Sequence, residues 1–416
     1  MNKFLRTLDS ISKSVLILFG VVLLFSCDDK NNAIEKVGVL SSAIEANLEV
    51  IPAAENIAEY YDLLKGKSVA MVVNQTSIIG NIHLVDSLVD LKIDVKIIFA
   101  PEHGFRGQAD AGEKIKDGVD IKTGLSVISL YGKKKKPSKE DLEGIEVIVF
   151  DIQDVGARFY TYISSLHYVM EACAENNIEL IVLDRPNPNA HYVDGPVLEK
   201  EFTSFVGMHP VPVVYGMTIG EYAQMINGEG WLSGHAKADL TVIHNRNYTH
   251  DTFYELPIKP SPNLPNIRSI LLYPSLCFFE GTNMSVGRGT NSQFQIFGHP
   301  DFIGGSFSFT PESMSGAKYP KHENSICKGI DLQKQTIGSL YDHEKLDLSY
   351  LLDAYRNLSD QNLDFFLENN FFEKLAGTAD LREQIKAGKS EEEIWESWRQ
   401  GILEFMKVRS KYLIYE

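Results

Sequence analysis

The sequence is poor in cysteine and in positive charge, and both shortages narrow the classes of protein that it can encode. It has four cysteines among 416 residues, and apart from Cys27 these are Cys173, Cys277 and Cys327. They allow one disulfide at most and match no zinc spacing, so we expect Cys173 and Cys277 to be buried thiols. The net charge of −16 argues against nucleic acids and anionic glycan polymers as non-specific partners.

Several nucleotide-binding and hydrolase motifs are also missing. No G-x-G-x-x-G follows the first predicted strand, so the sequence does not support a dinucleotide site. No P-loop, H-E-x-x-H or G-x-S-x-G occurs either. We therefore expect no cofactor and no bound metal.

The first 27 residues have the layout of a secretory signal. Basic residues precede an apolar run from Ser14 to Phe25 that is short for a membrane span. The run ends in Leu24-Phe25-Ser26-Cys27, which resembles a bacterial lipobox with Cys27 as the acylated residue; an ordinary signal or anchor helix is the alternative. Residues 28–52 are expected to be a flexible tether. These features predict an extracytoplasmic lipoprotein in the periplasm, the outer membrane or the cell surface, with the lipid as its only membrane contact.

From residue 53 apolar runs alternate with helical patterns. Strands are predicted at 68–74, 95–99, 126–131, 146–150, 178–183, 211–215 and 238–243, and helices at 83–91, 139–142, 162–176 and from 220. Strands that are apolar throughout predict an α/β fold with a parallel sheet covered on both faces. Clustered prolines at 257–265 place a domain boundary near residue 255. The expected domains are 53–255 and 256–416, the second ending in an amphipathic helix over 391–412.

Polar side chains follow four of the predicted strands. In a parallel sheet they converge on one edge, where such folds bind their ligands. The residues are Asn74 after the first strand, Glu102, His103 and Arg106 after the second, Asp151, Asp154, Arg158, Tyr160 and Tyr162 after another, and Asp184, Arg185 and Asn187 after the fourth. Together they predict a cleft.

The turn Pro101-Glu102-His103-Gly104 is the most informative of these clusters. A carboxylate beside an imidazole, with a glycine that permits close backbone approach, suits general acid/base chemistry. We take Glu102, His103 and Asp151 as candidate catalytic residues. Structural roles are the alternatives: Arg106 or loop amides hold Glu102, His103 orients its neighbour, and Asp151 caps the strand end.

Other residues suit ligand binding. Arg158 lies among tyrosines, and arginine binds carboxylates bidentately while tyrosine stacks on sugar faces. Asp184 and Arg185 are either ligand contacts or an ion pair that braces a turn. The glycine-rich segment 279–290 contains Glu280, Asn283 and Arg288 and predicts a polar loop over a ligand, with a set of tight turns as the alternative.

At these segments the sequence resembles the exo-β-N-acetylmuramidases of the NamZ type, formerly a family of unknown function. The matching segments are 101–104, 151–162, 184–188, 215–218, 280–290 and 297–298. The resemblance implies a Rossmann-like N-terminal domain, a smaller C-terminal α+β domain and a cleft between them. It also implies release of terminal N-acetylmuramic acid from the non-reducing ends of peptidoglycan fragments (MurNAc-GlcNAc), with Glu102 as the catalytic glutamate.

Glycoside cleavage requires a proton donor and a second group that stabilises the oxocarbenium-like centre or activates water. Glu102 suits the first role if burial raises its pKa. Asp151, Asp154, Glu280 and the substrate's acetamido group are candidates for the second. Arg158, Arg185 and Arg288 are candidates to bind the lactyl carboxylate that distinguishes muramic acid.

Two other functions fit the same clusters. One is a metal-dependent hydrolase or deacetylase that uses Glu102, His103, Asp151 and Asp154. The other is a lipoprotein that binds muropeptides without cleaving them, because a cleft suits capture as well as catalysis.

Overall fold

The computed structural model describes residues 49–102, 104–106 and 117–416. The predicted signal, Cys27, most of the tether and His103 lie outside these residues. The strands in chain order are β1 (Ser68–Val73), β2 (Ile78–Ile79), β3 (Ile82–His83), β4 (Asp94–Ala100), β5 (Gly118–Val119), β6 (Ser126–Ser129), β7 (Val147–Asp151), β8 (Glu179–Leu183), β9 (Leu240–Ile243), β10 (Ile296–His299), β11 (Phe307–Phe309) and β12 (Cys327–Asp331).

The helices fall between and after these strands. They are α1 (Ile57–Leu64), α2 (Leu84–Asp90), α3 (Tyr162–Asn176), α4 (Ile219–Gly228), α5 (Ile267–Leu276), α6 (Ile337–Tyr341), α7 (Ser349–Ser359), α8 (Phe371–Ala376), α9 (Asp380–Lys386) and α10 (Glu391–Arg409). Short 3-10 helices include Cys277–Gly281, directly after α5. Among the described residues, no helix has the length and apolar character needed to cross a membrane.

The central sheet has seven strands in the order β5-β6-β4-β1-β7-β8-β9. Every pair is parallel except β5 with β6. Successive side chains of β1 point to opposite faces, and both faces are buried: Ala70 and Val72 pack with residues of α3, Val69 and Met71 with residues of α1 and α2. The predicted α/β fold with a parallel, doubly covered sheet is confirmed.

The strand order reverses at β1. From β1 the chain passes through α2 to β4 on one side, whereas β7 and then β8 lie on the other side. Such a switch point leaves a crevice beyond the carboxyl ends of the strands. The loops after β1, β4 and β7 meet there, as the sequence predicts.

Two predicted elements are wrong. Residues 211–215 form no strand of the sheet; instead Val214 makes isolated bridges to Ala157 and Asp194. The segment is buried, so its apolar composition reflects burial, and Pro212 lacks the N–H that a ladder needs. At 139–142 the chain forms turns rather than a helix.

The C-terminal part adds a three-stranded antiparallel sheet, in the order β10-β12-β11, and helices α6 to α10. In α10 the capping box of Ser390 and Glu393 is present, and Ile394, Trp398 and Phe405 are buried as predicted. Met406, expected in the same stripe, is 37% exposed.

The main hydrophobic core runs without a break from the central sheet into α10, and residues 50–416 form one unit. The proposed boundary near residue 255 therefore divides the chain at a change of architecture but not at a gap in the core. Cys173, Cys277 and Cys327 are buried free thiols, which confirms the prediction for the first two.

Candidate active site

A cleft with a cavity volume of about 190 Å³ opens beyond the carboxyl end of β4. The loop after β7 forms one side of the cleft, and residues from 261 onwards form the other side. The lining residues are Glu102, Phe159, Tyr160, Thr161, Tyr162, Val206, Ser261, Asn263, Leu264, Tyr273, Cys277, Glu280, Arg288, Phe294, Phe371 and Leu375. Five of the residues predicted for the site are therefore brought together: Glu102, Tyr160, Tyr162, Glu280 and Arg288.

Glu102 is held at the start of α3. The hydroxyl of Thr161 donates to its Oε2 at 3.1 Å, and the hydroxyl of Tyr162 donates to its main-chain oxygen at 3.4 Å. Thr161 precedes α3 but does not cap it with its side chain, which leaves the hydroxyl for Glu102. Burial, then the neighbouring carboxyl group of Glu102, raises the pKa of Tyr162, so its hydroxyl stays neutral.

Aromatic rings form one wall of the cleft. Tyr160 packs edge to face with Tyr162 at 5.0 Å and with Tyr273 at 5.9 Å, and Tyr273 packs on Phe294 at 4.9 Å between ring centroids. The Tyr160 hydroxyl donates to the main-chain oxygen of Pro260 at 2.8 Å. Rings held in this way offer flat apolar surfaces, which suit the C–H faces of a sugar.

An ion pair lies beside this aromatic wall. Nε of Arg288 donates to Oε1 of Glu280 at 3.1 Å, and its guanidinium lies 5.1 Å from the centroid of the Phe294 ring. Lys321 donates from Nζ to the main-chain oxygens of Phe279 at 2.8 Å, Glu280 at 3.0 Å and Thr282 at 2.6 Å.

These neighbours fix the charge of Glu280. Burial opposes ionisation, but the charges of Arg288 and Lys321 outweigh it and lower the pKa of Glu280. Burial lowers the pKa of Lys321, while the pKa of Arg288 is raised because Glu280 outweighs its burial. With all three ionised, Glu280, Arg288 and Lys321 together carry one net positive charge.

Asp151 and Arg185 form a buried bidentate ion pair away from the cleft lining. Nε of Arg185 donates to Oδ1 of Asp151 at 2.5 Å and Nη2 donates to Oδ2 at 2.8 Å. The side chains are 0% and 3% exposed. The geometry corresponds to a structural brace between β7 and the loop after β8, and gives neither residue a contact with the cleft.

Arg158 is also structural, contrary to the expected ligand contact. Its side chain is completely buried, and the guanidinium donates to four main-chain oxygens, those of Pro196, Val211, Leu375 and Ala376. Burial lowers its pKa to about 9. The tyrosines around it in the sequence suggested a ligand contact, but the carbonyls of distant segments hold the Arg158 side chain inside the protein.

The acids and amides beneath the strand ends support turns. Oδ2 of Asp154 accepts bonds from the Tyr215 hydroxyl and, at 2.8 Å, from the Gly156 amide. Oδ1 of Asp184 accepts from the Gly220 amide at 2.8 Å, and its Oδ2 from the Tyr415 hydroxyl at 2.6 Å. The Asn187 side chain bonds to the Met217 carbonyl and the Asn189 amide.

The remaining predicted residues have protein partners outside the cleft lining. Arg106 makes a bidentate pair with Asp120 at 2.9 Å for each bond. Oδ1 of Asn74 accepts from Thr76, and Nδ2 of Asn283 donates to the main-chain oxygen of Asp364. The glycine-rich loop is tightly turned, since a Cβ on Gly287 would meet Ile296 at 2.6 Å.

Sequence reasoning missed several cleft residues. Thr161 lay within a matched segment but had no charge to mark it. Tyr273 lay in an apolar run, and Phe371 and Leu375 come from α8, where no motif was recognised. Within the parts of the chain that the structure describes, no group of three or more histidine, cysteine, aspartate or glutamate side chains is placed to hold a metal ion.

Comparison with known proteins yields matches along the chain. Residues 69–268 match the family model of the exo-β-N-acetylmuramidase NamZ N-terminal domain, and residues 271–415 match that of its C-terminal domain. The peptidoglycan β-N-acetylmuramidase NamZ of Bacillus subtilis (strain 168) is 37% identical over 96% of this chain and 97% of its own length.

Two crystal structures of DUF1343 family proteins from Bacteroides fragilis are similar in fold. One has a TM-score of 0.82 and 45% identity and covers 89% of this chain and 99% of its own. The other has a TM-score of 0.72 and 28% identity and covers 88% of this chain and 99% of its own.

Proposed function

The chain belongs to the exo-β-N-acetylmuramidase NamZ family, and from this premise we propose that it releases terminal β-linked N-acetylmuramic acid from the non-reducing ends of peptidoglycan fragments. It is a glycosidase. One observation carries the assignment of this chemistry to the cleft: Glu102 lies in the same cavity as an aromatic wall and the Glu280–Arg288 pair.

Glu102 is proposed as the acid that protonates the leaving oxygen. The Thr161 hydroxyl fixes the rotation of its carboxyl group through Oε2. A proton donor held in one orientation is what glycoside cleavage requires at the scissile bond. The neutral Tyr162 hydroxyl beside it adds a fixed dipole at the same place.

Glu280 is proposed as the second group. Among Asp151, Asp154 and Glu280, it is the one that lines the cleft. Arg288 and Lys321 keep it ionised, and a carboxylate stabilises positive charge that develops at the sugar carbon. The acetamido group of the substrate remains the alternative for this role.

Arg288 is proposed to bind the lactyl carboxylate of muramic acid. Arg158 and Arg185 have their guanidinium groups engaged inside the protein, whereas Arg288 lines the cleft. The carboxylate would balance the net positive charge of Glu280, Arg288 and Lys321. A charge-assisted hydrogen bond of this kind contributes about 1.5–3 kcal/mol.

Hydrolysis of a chromogenic β-N-acetylmuramide and of the matching N-acetylglucosaminide tests this function. We expect the protein to cleave the muramide in preference. Arg288→Ala should reduce that preference by about tenfold to a hundredfold, the range that the lost bond allows. The exposed Arg356→Ala is the matched control and should change nothing.

Other outcomes of the same assay would contradict the proposal. Muropeptide binding without turnover would indicate a capture protein. Loss of turnover on chelation, restored by a metal, would indicate a metal-dependent hydrolase. Unchanged preference in Arg288→Ala would remove the role of that arginine alone.

We also propose, from the sequence of residues 1–27, that the protein is exported and anchored through a lipid on Cys27. Export and anchoring would place the cleft outside the cytoplasm, where peptidoglycan fragments occur. Metabolic labelling with a fatty acid should mark the wild type and leave Cys27→Ser unlabelled. Labelling of both forms, or of neither, would contradict the anchor.

A further inference from the structure

A second cavity, of about 260 Å³, lies on the other side of α5 from the cleft. Tyr273 of α5 lines the cleft, whereas Leu271, Leu272 and Ser275 of the same helix line the second cavity. The two cavities are similar in size, since the cleft measures about 190 Å³.

A buried acceptor in this lining lacks a donor. Asn189 is 1% exposed, and its Nδ2 donates to the main-chain oxygens of Val155 at 2.8 Å and Ile270 at 3.2 Å. These two bonds fix the orientation of the amide. No described residue donates to its Oδ1. The oxygen has almost no accessible surface, so it makes the wall behind the cavity polar but is not itself a ligand contact.

The rest of the lining is amphipathic. Tyr192 and Tyr350 contribute rings, Leu271, Leu272 and Leu340 contribute apolar surface, and Gln335 donates from Nε2 to the Tyr350 hydroxyl at 2.9 Å. Flat apolar surfaces beside fixed amides and hydroxyls match the faces and edges of a sugar ring.

The charges of the lining are balanced. Lys345 and Asp347 both line the cavity; Nζ of Lys345 lies 4.4 Å from the centroid of the Trp395 ring, and Oδ1 of Asp347 accepts from the Ser349 amide at 3.0 Å. One fixed cation beside one fixed anion favours an uncharged ligand over a phosphate or a polyanion.

We propose that the second cavity is a binding site for an uncharged pyranose sugar, which packs against the rings of this lining and bonds to its accessible polar groups, such as the Ser339 hydroxyl. The site is separate from the catalytic cleft, and the proposal does not depend on which residues act there. A second sugar contact on the same molecule would raise the effective concentration of glycan ends near the cleft.

Ligand-observed saturation-transfer NMR with methyl β-N-acetylglucosaminide tests the proposal, since this glycoside lacks the lactyl carboxylate. Ser339, exposed on α6, lines the cavity, and Ser339→Phe should fill it. Lys334 is exposed and does not line the cavity. Lys334→Phe is therefore the control, because it places the same ring nearby but outside the cavity. Val206→Trp obstructs the cleft instead.

We expect loss of the saturation signal in Ser339→Phe, with turnover of the chromogenic muramide retained. Lys334→Phe should keep both signal and turnover, and Val206→Trp should keep the signal and lose turnover. A signal lost in Val206→Trp but kept in Ser339→Phe would overturn the proposal, as would no signal from the wild type. A signal lost equally in Lys334→Phe would also overturn it, because the effect would then not depend on the cavity.

Discussion

Asp154 is a fully buried carboxylic acid whose two oxygens have unequal surroundings. Oδ2 accepts from the Tyr215 hydroxyl and the Gly156 amide, whereas Oδ1 has no donor among the described residues. Burial raises the pKa of Asp154 from 3.8 to about 6, although the bonds to Tyr215 and Gly156 oppose the rise. The folded protein therefore binds this proton more tightly than the unfolded chain does.

This shift predicts a pH-dependent effect of Asp154→Asn. The contribution of Asp154 to the free energy of unfolding is fully present below about pH 4 and is lost as the pH rises through about 6. Asparagine stays neutral throughout, so the wild type should lose stability relative to the variant between about pH 4 and about pH 7. Urea unfolding at both pH values measures this difference.

The exposed Asp239→Asn is the control for that experiment. The difference in free energy of unfolding between Asp239→Asn and the wild type should vary little with pH, because the side chain of Asp239 is exposed to solvent in the folded protein as well as in the unfolded chain. A difference between Asp154→Asn and the wild type that stays constant across the range would contradict the shifted ionisation of Asp154.

The roles of the charged residues were only partly predictable from the sequence. The position of Glu102 after a buried strand was enough to place it at the sheet edge, and the structure puts it in the cleft. Arg158 occurs among tyrosines in the sequence and Arg288 in a glycine-rich segment, and both were candidate ligand contacts; yet Arg158 bonds to four carbonyls inside the protein and Arg288 lines the cleft. Direction of a loop side chain depends on contacts from distant segments, and no local pattern encodes it.

At the scale of elements, the cleft depends on close contact between the 3-10 helix Cys277–Gly281 and α8. Both elements contribute lining residues, Glu280 from the first and Phe371 from the second. Gly281 permits the contact, because a Cβ there would lie 2.4 Å from Cα of Phe372 and 2.6 Å from its nitrogen. Backbone atoms cannot move aside as a flexible side chain can.

Gly281→Ala should therefore separate the two elements. We expect a loss of about 1–3 kcal/mol in the free energy of unfolding, the usual range for overpacking, together with lower kcat/KM on the muramide. Gly338→Ala in α6 is the matched control: its Cβ would meet nothing within 4 Å. It should be neutral, or stabilising by about 0.5–1 kcal/mol as alanine replaces glycine in a helix. Equal effects of the two substitutions would contradict the packing argument.

Elements with regular periodicity were the predictable part of the fold. The helix predicted at 162–176 has those bounds in the structure, and β1, β4, β7 and β8 lie within a residue or two of the predicted strands. Residues 211–215 misled the prediction because apolar composition reports burial, and burial is shared by strands and by irregular segments. Whether such a segment becomes a strand depends on the residues that pair with it. Here Val214 pairs only in isolated bridges, with Ala157 and Asp194.

At the scale of the whole molecule, the two parts of the chain build one core and one cleft. Arg158, in the loop after β7, bonds to carbonyls of α8, and Tyr415 near the C-terminus bonds to Asp184 at the end of β8. These partners are 217 and 231 residues apart in sequence. The family resemblance indicated two domains with a cleft between them. The contacts that join the two parts could not be predicted, because residues so far apart in sequence leave no local pattern.

Glu102, in the cleft that these contacts assemble, is the proposed proton donor to the leaving oxygen. An activated nitrophenol leaves without a proton, whereas a sugar alcohol requires one. Glu102→Gln removes the donor and keeps the shape of the side chain. Glu280→Gln alters the other carboxyl group that lines the cleft.

The decisive measurement is kcat/KM of the wild type, Glu102→Gln and Glu280→Gln on a disaccharide substrate and on a nitrophenyl muramide. Glu102→Gln should lose about 10²–10⁴-fold on the disaccharide, the usual contribution of general acid catalysis, and far less on the nitrophenyl substrate. Glu280→Gln should lose activity on both substrates alike. Equal losses on both substrates for Glu102→Gln, or the leaving-group dependence appearing in Glu280→Gln instead, would contradict the assignment of the acid to Glu102.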